Sequence, residues 1–222
     1  MSFSTGIILV PQGAEYQAVC RGLNQVGTRP TVIPIPVGVE PLRQYLQQSP
    51  PPSTRVLLMG LCGSLSPNYT VGDLVLYQSC GYQGNLQSCN SAFTSELHSL
   101  FADNVSFVKS LTSDRLIWSA AEKRDLGAKS GADVVDMEGF AFLEYFNSLT
   151  PTVEVAILRV VSDDCHHDIP NLSSAISPDG ALQPLPLAWG LIRQPLAATR
   201  LIRGSLRGLQ ALKKATNQIT QI

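Results

Sequence analysis

The sequence predicts an α/β fold, a three-layer α/β/α sandwich with one central mixed sheet. Three observations lead there. Short β-branched apolar runs alternate with stretches whose apolar residues recur at helical spacing, which places helices on both faces of a sheet. Hydrophobic residues make up 44% of the 222 residues and charged residues only 15%, enough apolar mass for a large single core. Two apolar runs lead into acids, and ligands of open α/β sheets sit outside the carboxyl ends of strands. The first reads Ala132-Asp133-Val134-Val135-Asp136-Met137-Glu138-Gly139; the second runs from Ala156 through Arg159 to Ser162-Asp163-Asp164.

The elements follow in order. Residues 6–10 (GIILV) form a first strand, ended by Pro11 and Gly13. Ala14, Ala18, Val19, Leu23 and Val26 are spaced for a helix over 14–26. Residues 31–39 are β-branched but carry prolines, an irregular strand, and 41–48 a short helix. The Pro50-Pro51-Pro52-Ser53 cluster is a surface loop. Residues 55–59 make a third strand, stopped by a glycine-punctuated turn, Gly60-Leu61-Cys62-Gly63-Ser64-Leu65. Strands follow at 72–77 and 106–111, helices at 91–102 and 118–129. The two acid-bearing strands are 134–137 and 153–161, with a helix at 139–147 between them.

No internal repeat or strong boundary divides the chain, so residues 1–222 read as a single domain. Residues 165–186 are rich in Pro, Ser, Asp and Gly and read as a flap over a site. Residues 187–218 read as a basic helical tail, interrupted at Pro195. From 180 to 222 there are six basic residues and no acid. That tail is either a helix with one solvated face or a contact to an anionic membrane surface.

The net charge of −1 gives the whole molecule no pull toward nucleic acid. No basic and apolar leader opens the sequence, and no apolar run reaches the ~20 residues that span a bilayer. Five cysteines without a CxxC spacing argue against a disulfide framework or zinc ribbon. These features place the protein in a reducing cytoplasm. The low charged fraction suggests a homodimer.

Glu15 follows the first strand by one turn, at the sheet edge that also carries Glu138 and Asp163. Singly, Glu15 and Glu138 read as first-turn helix acids and Asp163 as a helix cap. Jointly they describe a polar ligand held among carboxylates. One carboxylate could deprotonate water and another, its pKa raised by burial or by like charges, could protonate a leaving group. Cys165-His166-His167-Asp168 invites a metal reading, but adjacent histidines in a loop point apart and no second cluster exists, so no metal is expected.

The ordered set Glu15, Gly60 to Leu65, Val135-Asp136-Met137-Glu138-Gly139 and Arg159-Val160-Val161-Ser162-Asp163 resembles the nucleoside phosphorylase superfamily, whose fold is the phosphorylase/hydrolase-like sandwich. Within it the chain is most similar to the methylthioadenosine/S-adenosylhomocysteine nucleosidase branch. Pro170, Ser177-Pro178-Asp179-Gly180 and Arg193-Gln194-Pro195 resemble the narrower hopanoid-associated group, which acts on adenosylhopane. The resemblance implies an N-glycosyl hydrolase acting on a purine nucleoside, a 5′-substituted adenosine, with release of adenine. It implies Asp163 as the acid toward the purine and Glu15 as the base toward water. It also implies Glu138 on the ribose hydroxyls, Met137 against the sugar, Ser162 on the base edge, and Cys62 and Gly63 at the substrate. Cofactors are not implied, phosphate only if the enzyme is a phosphorylase. Leu61 departs from the family pattern, which has a small hydroxyl residue there, and neither 11–19 nor 60–66 offers Arg or Lys to a phosphate. Both departures favour water as acceptor, unless Arg43 or a neighbouring subunit intervenes. They leave two alternatives, a phosphorylase and a catalytically weak nucleoside-binding or storage protein.

Overall fold

A computed structural model describes residues 6–23, 29–150, 152–171 and 192–220. Its elements are β1 Ile7–Pro11, α1 Ala14–Gly22, β2 Thr31–Ile35, α2 Val39–Gln48, β3 Arg55–Ser64, β4 Leu74–Tyr82, β5 Asn85–Ser88 and α3 Ser91–Phe101. After a single 3-10 turn come β6 Val105–Thr112, α4 Ala120–Ser130, β7 Val134–Asp136, α5 Gly139–Asn147, β8 Glu154–Asp163 and α6 Pro195–Ile219.

All eight strands share one mixed sheet. Its path runs β2-β1-β3-β7-β6-β4-β5, and β8 pairs with both β3 and β4. β8 is parallel to β3 and antiparallel to β4. The pairings β3–β8, β8–β4, β4–β6, β6–β7 and β7–β3 therefore close a ring. That closure brings the ends of β3, β7 and β8 together, although their sequence positions are far apart.

Alternation sets the two faces. Leu9, Leu58, Val155 and Ile157 join one buried cluster with Phe140, Phe142 and Phe146 of α5 and Leu42 and Leu46 of α2. Ile8, Val10, Leu57, Met59 and Leu158 join the other, with Val19 of α1, Phe93 and Leu97 of α3, and Leu212 and Ala215 of α6. This is the expected three-layer sandwich. Truncating a ring such as Phe142, fully buried, would cost about 3–5 kcal/mol.

Several boundaries differ from the sequence reading. The glycine turn at 60–65 is strand: β3 runs on to Ser64, with a register shift between Cys62 and Gly63 against β8. Its glycines serve close approach, since a Cβ at residue 60 would lie 2.2 Å from Arg159 Nη1. β8 includes Ser162 and Asp163, rather than stopping before them. β4 continues to Tyr82 and turns into the unexpected β5 through Gln83 and Gly84, both at positive φ, the geometry of a two-residue hairpin. Pro195 opens α6 at its first turn, and helical residues 192–193 stand just before it, so the chain breaks at 194 as the sequence reading has it. Most of the expected flap (172–186) and the start of the expected tail (187–191) lie outside the described residues.

α6 packs small residues onto β8: a Cβ at Gly204 would stand 2.2 Å from the Ser162 carbonyl oxygen. Its other side leaves Leu196, Ile202 and Leu206 exposed, along with Arg200, Arg203 and Arg207. No helix among the described residues is long and apolar enough to cross a membrane.

Candidate active site

One cavity opens at the ring of strand ends. Pro11, Glu15, Leu61, Cys62, Gly63, Asp136, Met137, Glu138, Ser162 and Asp163 line it, together with Arg115, Leu116 and Ile117 from the β6–α4 connection. Every site residue expected from sequence is among them: Glu15, Cys62, Gly63, Met137, Glu138, Ser162 and Asp163.

Beneath the cavity lies Arg159, a lone cation in an apolar strand and fully buried. Its parity on β8 turns it toward β7, where Nη2 donates to Asp136 Oδ2 at 3.1 Å and to Glu138 Oε2 at 3.0 Å. Burial alone would lower its pKa; Asp136 and Glu138 reverse that and raise it. Asp136 also accepts from Thr112 Oγ1 at 2.8 Å and from the Gly139 N–H at the start of α5. Its lone pairs are thus committed to the scaffold. Glu138 accepts the Gly38 N–H at 3.1 Å. Burial raises its pKa against the opposing pull of Arg159.

Glu15 stands in the first turn of α1, and its Oε1 accepts the Leu61 N–H at 2.6 Å. Burial pushes its pKa up to about 7, Arg159 opposing and Glu138 and Asp136 adding to the rise. A carboxylate titrating there can take a proton from water near neutral pH. The leucine at position 61 thus contributes its backbone donor, while its side chain packs toward Gly208 of α6.

At the other end Asp163 Oδ2 accepts from Ser162 Oγ at 2.9 Å, and the same hydroxyl reaches the Cys62 carbonyl at 3.2 Å. Asp163 Oδ1 is in contact with the ammonium of Lys123, a fully buried lysine of α4. Lys123 Nζ also donates to the Asp164 carbonyl at 3.0 Å. The Cys62 thiol is buried and its pKa raised by that burial, so it is not a ready nucleophile.

Sequence reasoning did not assign roles to Asp136, Arg159, Lys123 or Arg115. Arg159 had a readable signal: an arginine between Leu158 and Val160 must find buried acids or be excluded from the core. Lys123 had none, because its neighbours Glu122 and Arg124 read as a solvated helix face. Arg115 lines the cavity while forked onto Glu122. Arg43, the cation proposed to intervene, instead holds Glu144 at 2.7 Å and is not among the lining residues. Asp164 accepts the N–H groups of His166 and His167. The described residues hold no group of three His, Cys, Asp or Glu side chains suited to a metal ion.

Fold and site together define an α/β protein with an acid-lined cavity for a small polar molecule, built at strand ends. A sequence model of the phosphorylase superfamily matches residues 53–176, more than half of the chain, and the chain belongs to that superfamily. Membership bears out the resemblance seen in its motifs and the expectation of an enzyme. The fold is similar to futalosine hydrolase of Helicobacter pylori, at 14% identity over 99% of this chain and 98% of that one, with a TM-score of 0.69. It is equally similar to the 5′-methylthioadenosine/S-adenosylhomocysteine nucleosidase of H. pylori bound to butyl-thio-DADMe-Immucillin-A, at 14% identity, 99% of both chains and 0.70. A mutant of that nucleosidase with 5′-methylthioadenosine in its active site aligns at 12% identity over 98% of both chains, with 0.69. Identities this low speak for the fold. No curated protein matches the chain.

Proposed function

We propose that the protein is a nucleosidase that hydrolyses the N-glycosidic bond of a 5′-substituted adenosine and releases adenine. The carrying observation is that Glu15, Glu138 and Asp163, from three distant stretches of chain, line one cavity. Its similarity in fold to nucleosidases, one holding 5′-methylthioadenosine, supports the same reading.

The roles are those that the family resemblance implies, and the geometry supports them. Glu138, held by Arg159 and the Gly38 amide, keeps lone pairs for two ribose hydroxyls, with Met137 against the sugar. The Asp163–Ser162 pair faces the base. As the C–N bond breaks, its electron pair goes to the base, which takes a proton at the Asp163 end. The sugar passes through an oxocarbenium-like state that the surrounding carboxylates stabilise. Glu15 takes a proton from the attacking water, whose oxygen bonds to the sugar carbon.

Purified protein is incubated with 5′-methylthioadenosine, S-adenosylhomocysteine, a 5′-alkyl adenosine of the adenosylhopane type and futalosine, and free base is followed by chromatography. Release of adenine from one of the adenosines is the expected result. No base released from any of them overturns the proposal. A phosphorylase is the second reading, favoured by Arg115 at the cavity wall. It requires that release depend on added phosphate and yield a sugar phosphate.

A further inference from the structure

Asp163 is not a free acid. Its Oδ1 lies against the Lys123 ammonium, its Oδ2 accepts from Ser162, and Lys123 is fully buried. A buried lysine is costly unless paired and hydrogen-bonded. Asp163 and the Asp164 carbonyl satisfy two of its three donors. Lys123 does not line the cavity, so it can act on a ligand only through Asp163. The pair carries one more proton than a bare carboxylate, at the end of the cavity where the leaving base would sit.

We infer that Lys123 is the positioning residue that stores the proton delivered by Asp163. The inference rests on the nucleosidase reading. Before cleavage the pair shares one proton between Lys123 Nζ and the Asp163 carboxylate. When the C–N bond breaks and its electrons go to the base, the base takes that proton from Asp163. A Lys123 amine and an Asp163 carboxylate remain. After adenine leaves, a proton from solvent restores the ammonium, and Glu15 returns to solvent the proton it took from water.

Lys123→Met, Asp163→Asn and the double variant are compared with the wild type on the adenosine that the wild type turns over best. Asp163→Asn is expected to lower kcat by about 10²–10⁴-fold, the usual worth of a positioned acid. Lys123→Met should lose at least tenfold in kcat with KM little changed, and Lys123→Arg, whose guanidinium keeps its proton, should not recover it. Adding Lys123→Met to Asp163→Asn should change nothing further, because the relay is already broken. The double variant carries no unpaired buried charge, so it keeps the comparison valid if Lys123→Met alone folds poorly. With p-nitrophenyl riboside, whose leaving group departs as a stable anion, the loss in Lys123→Met should be at least tenfold smaller than with the adenosine. Full activity in Lys123→Met, additive losses in the double variant, or equal losses on both leaving groups each overturn the assignment. A wild type that cleaves none of these compounds overturns the nucleosidase reading beneath it.

Discussion

Glu15→Gln is the substitution with the most definite consequence. The folded carboxyl titrates near 7 because burial raises it from the model-peptide value of 4.5. The unfolded chain therefore releases this proton at lower pH than the folded one. Between about 4.5 and 7 the folded state binds more protons, so its stability falls as pH rises, and the full cost stands above 7. The difference of 2.5 pH units corresponds to at most about 3–4 kcal/mol, reduced by the part of the side chain open to the cavity. Glutamine has no such titration, and its amide oxygen can still accept the Leu61 N–H. The variant should thus match the wild type near pH 4.5 and exceed it in stability at pH 8, by about 1–3 kcal/mol. Urea unfolding at the two pH values measures this. A stability difference between variant and wild type that stays constant from pH 4.5 to 8 would refute the placement of Glu15. For catalysis the sign is opposite: wild-type kcat/KM should climb with pH to a plateau above about 7 as the base ionises, and Glu15→Gln should lose most of its activity throughout.

Three more outcomes are expected. Arg159→Met leaves Asp136 and Glu138 buried without their cation and should cost about 3–5 kcal/mol, read as a lowered urea midpoint or insoluble protein. Gly204→Ala puts a methyl group 2.2 Å from the Ser162 carbonyl oxygen, so α6 must shift. It should cost about 1–3 kcal/mol and slow adenine release by displacing Ser162 and Asp163, both measurable on one preparation. Thr112→Val removes the hydroxyl that donates to Asp136 and accepts the Phe140 N–H. It should cost about 1–3 kcal/mol in thermal or urea unfolding while adenine release by the folded fraction stays near the wild-type rate.

The layers were legible because alternation and helical spacing are local patterns. Ile8 and Leu9, or Leu57 and Leu58, face opposite clusters as neighbouring strand residues must. The acids at 15, 138 and 163 were legible because their positions depend only on where β1, β7 and β8 end. What escaped depends on long-range pairing. The β3 extension through Gly60 looked like a turn, since glycine usually marks one; here it leaves room for the Arg159 guanidinium, a contact across 99 residues of sequence. The β4–β5 hairpin escaped because Gln83 takes a positive φ that glutamine seldom adopts. Lys123 escaped because nothing in its helix tells a buried lysine from a solvated one.

The charges around the cavity also explain which acid is available for chemistry. Asp136 and Glu138 share one guanidinium nitrogen, and Asp163 has the Lys123 ammonium. Glu15 receives one backbone N–H and, among the described residues, makes no ion pair. Arg159 influences it at a distance while committing its Nη2 elsewhere, and Nε and Nη1 of that arginine find no partner among the described residues. Burial pushes the Glu15 carboxyl up to about 7, where a base is most effective. Arg159 pairs with Asp136 and Glu138 and not with Glu15, a distinction that leaves the proposed base without a cation of its own. Placing a new cation beside Glu15 would erase that distinction by holding it ionised and weakly basic.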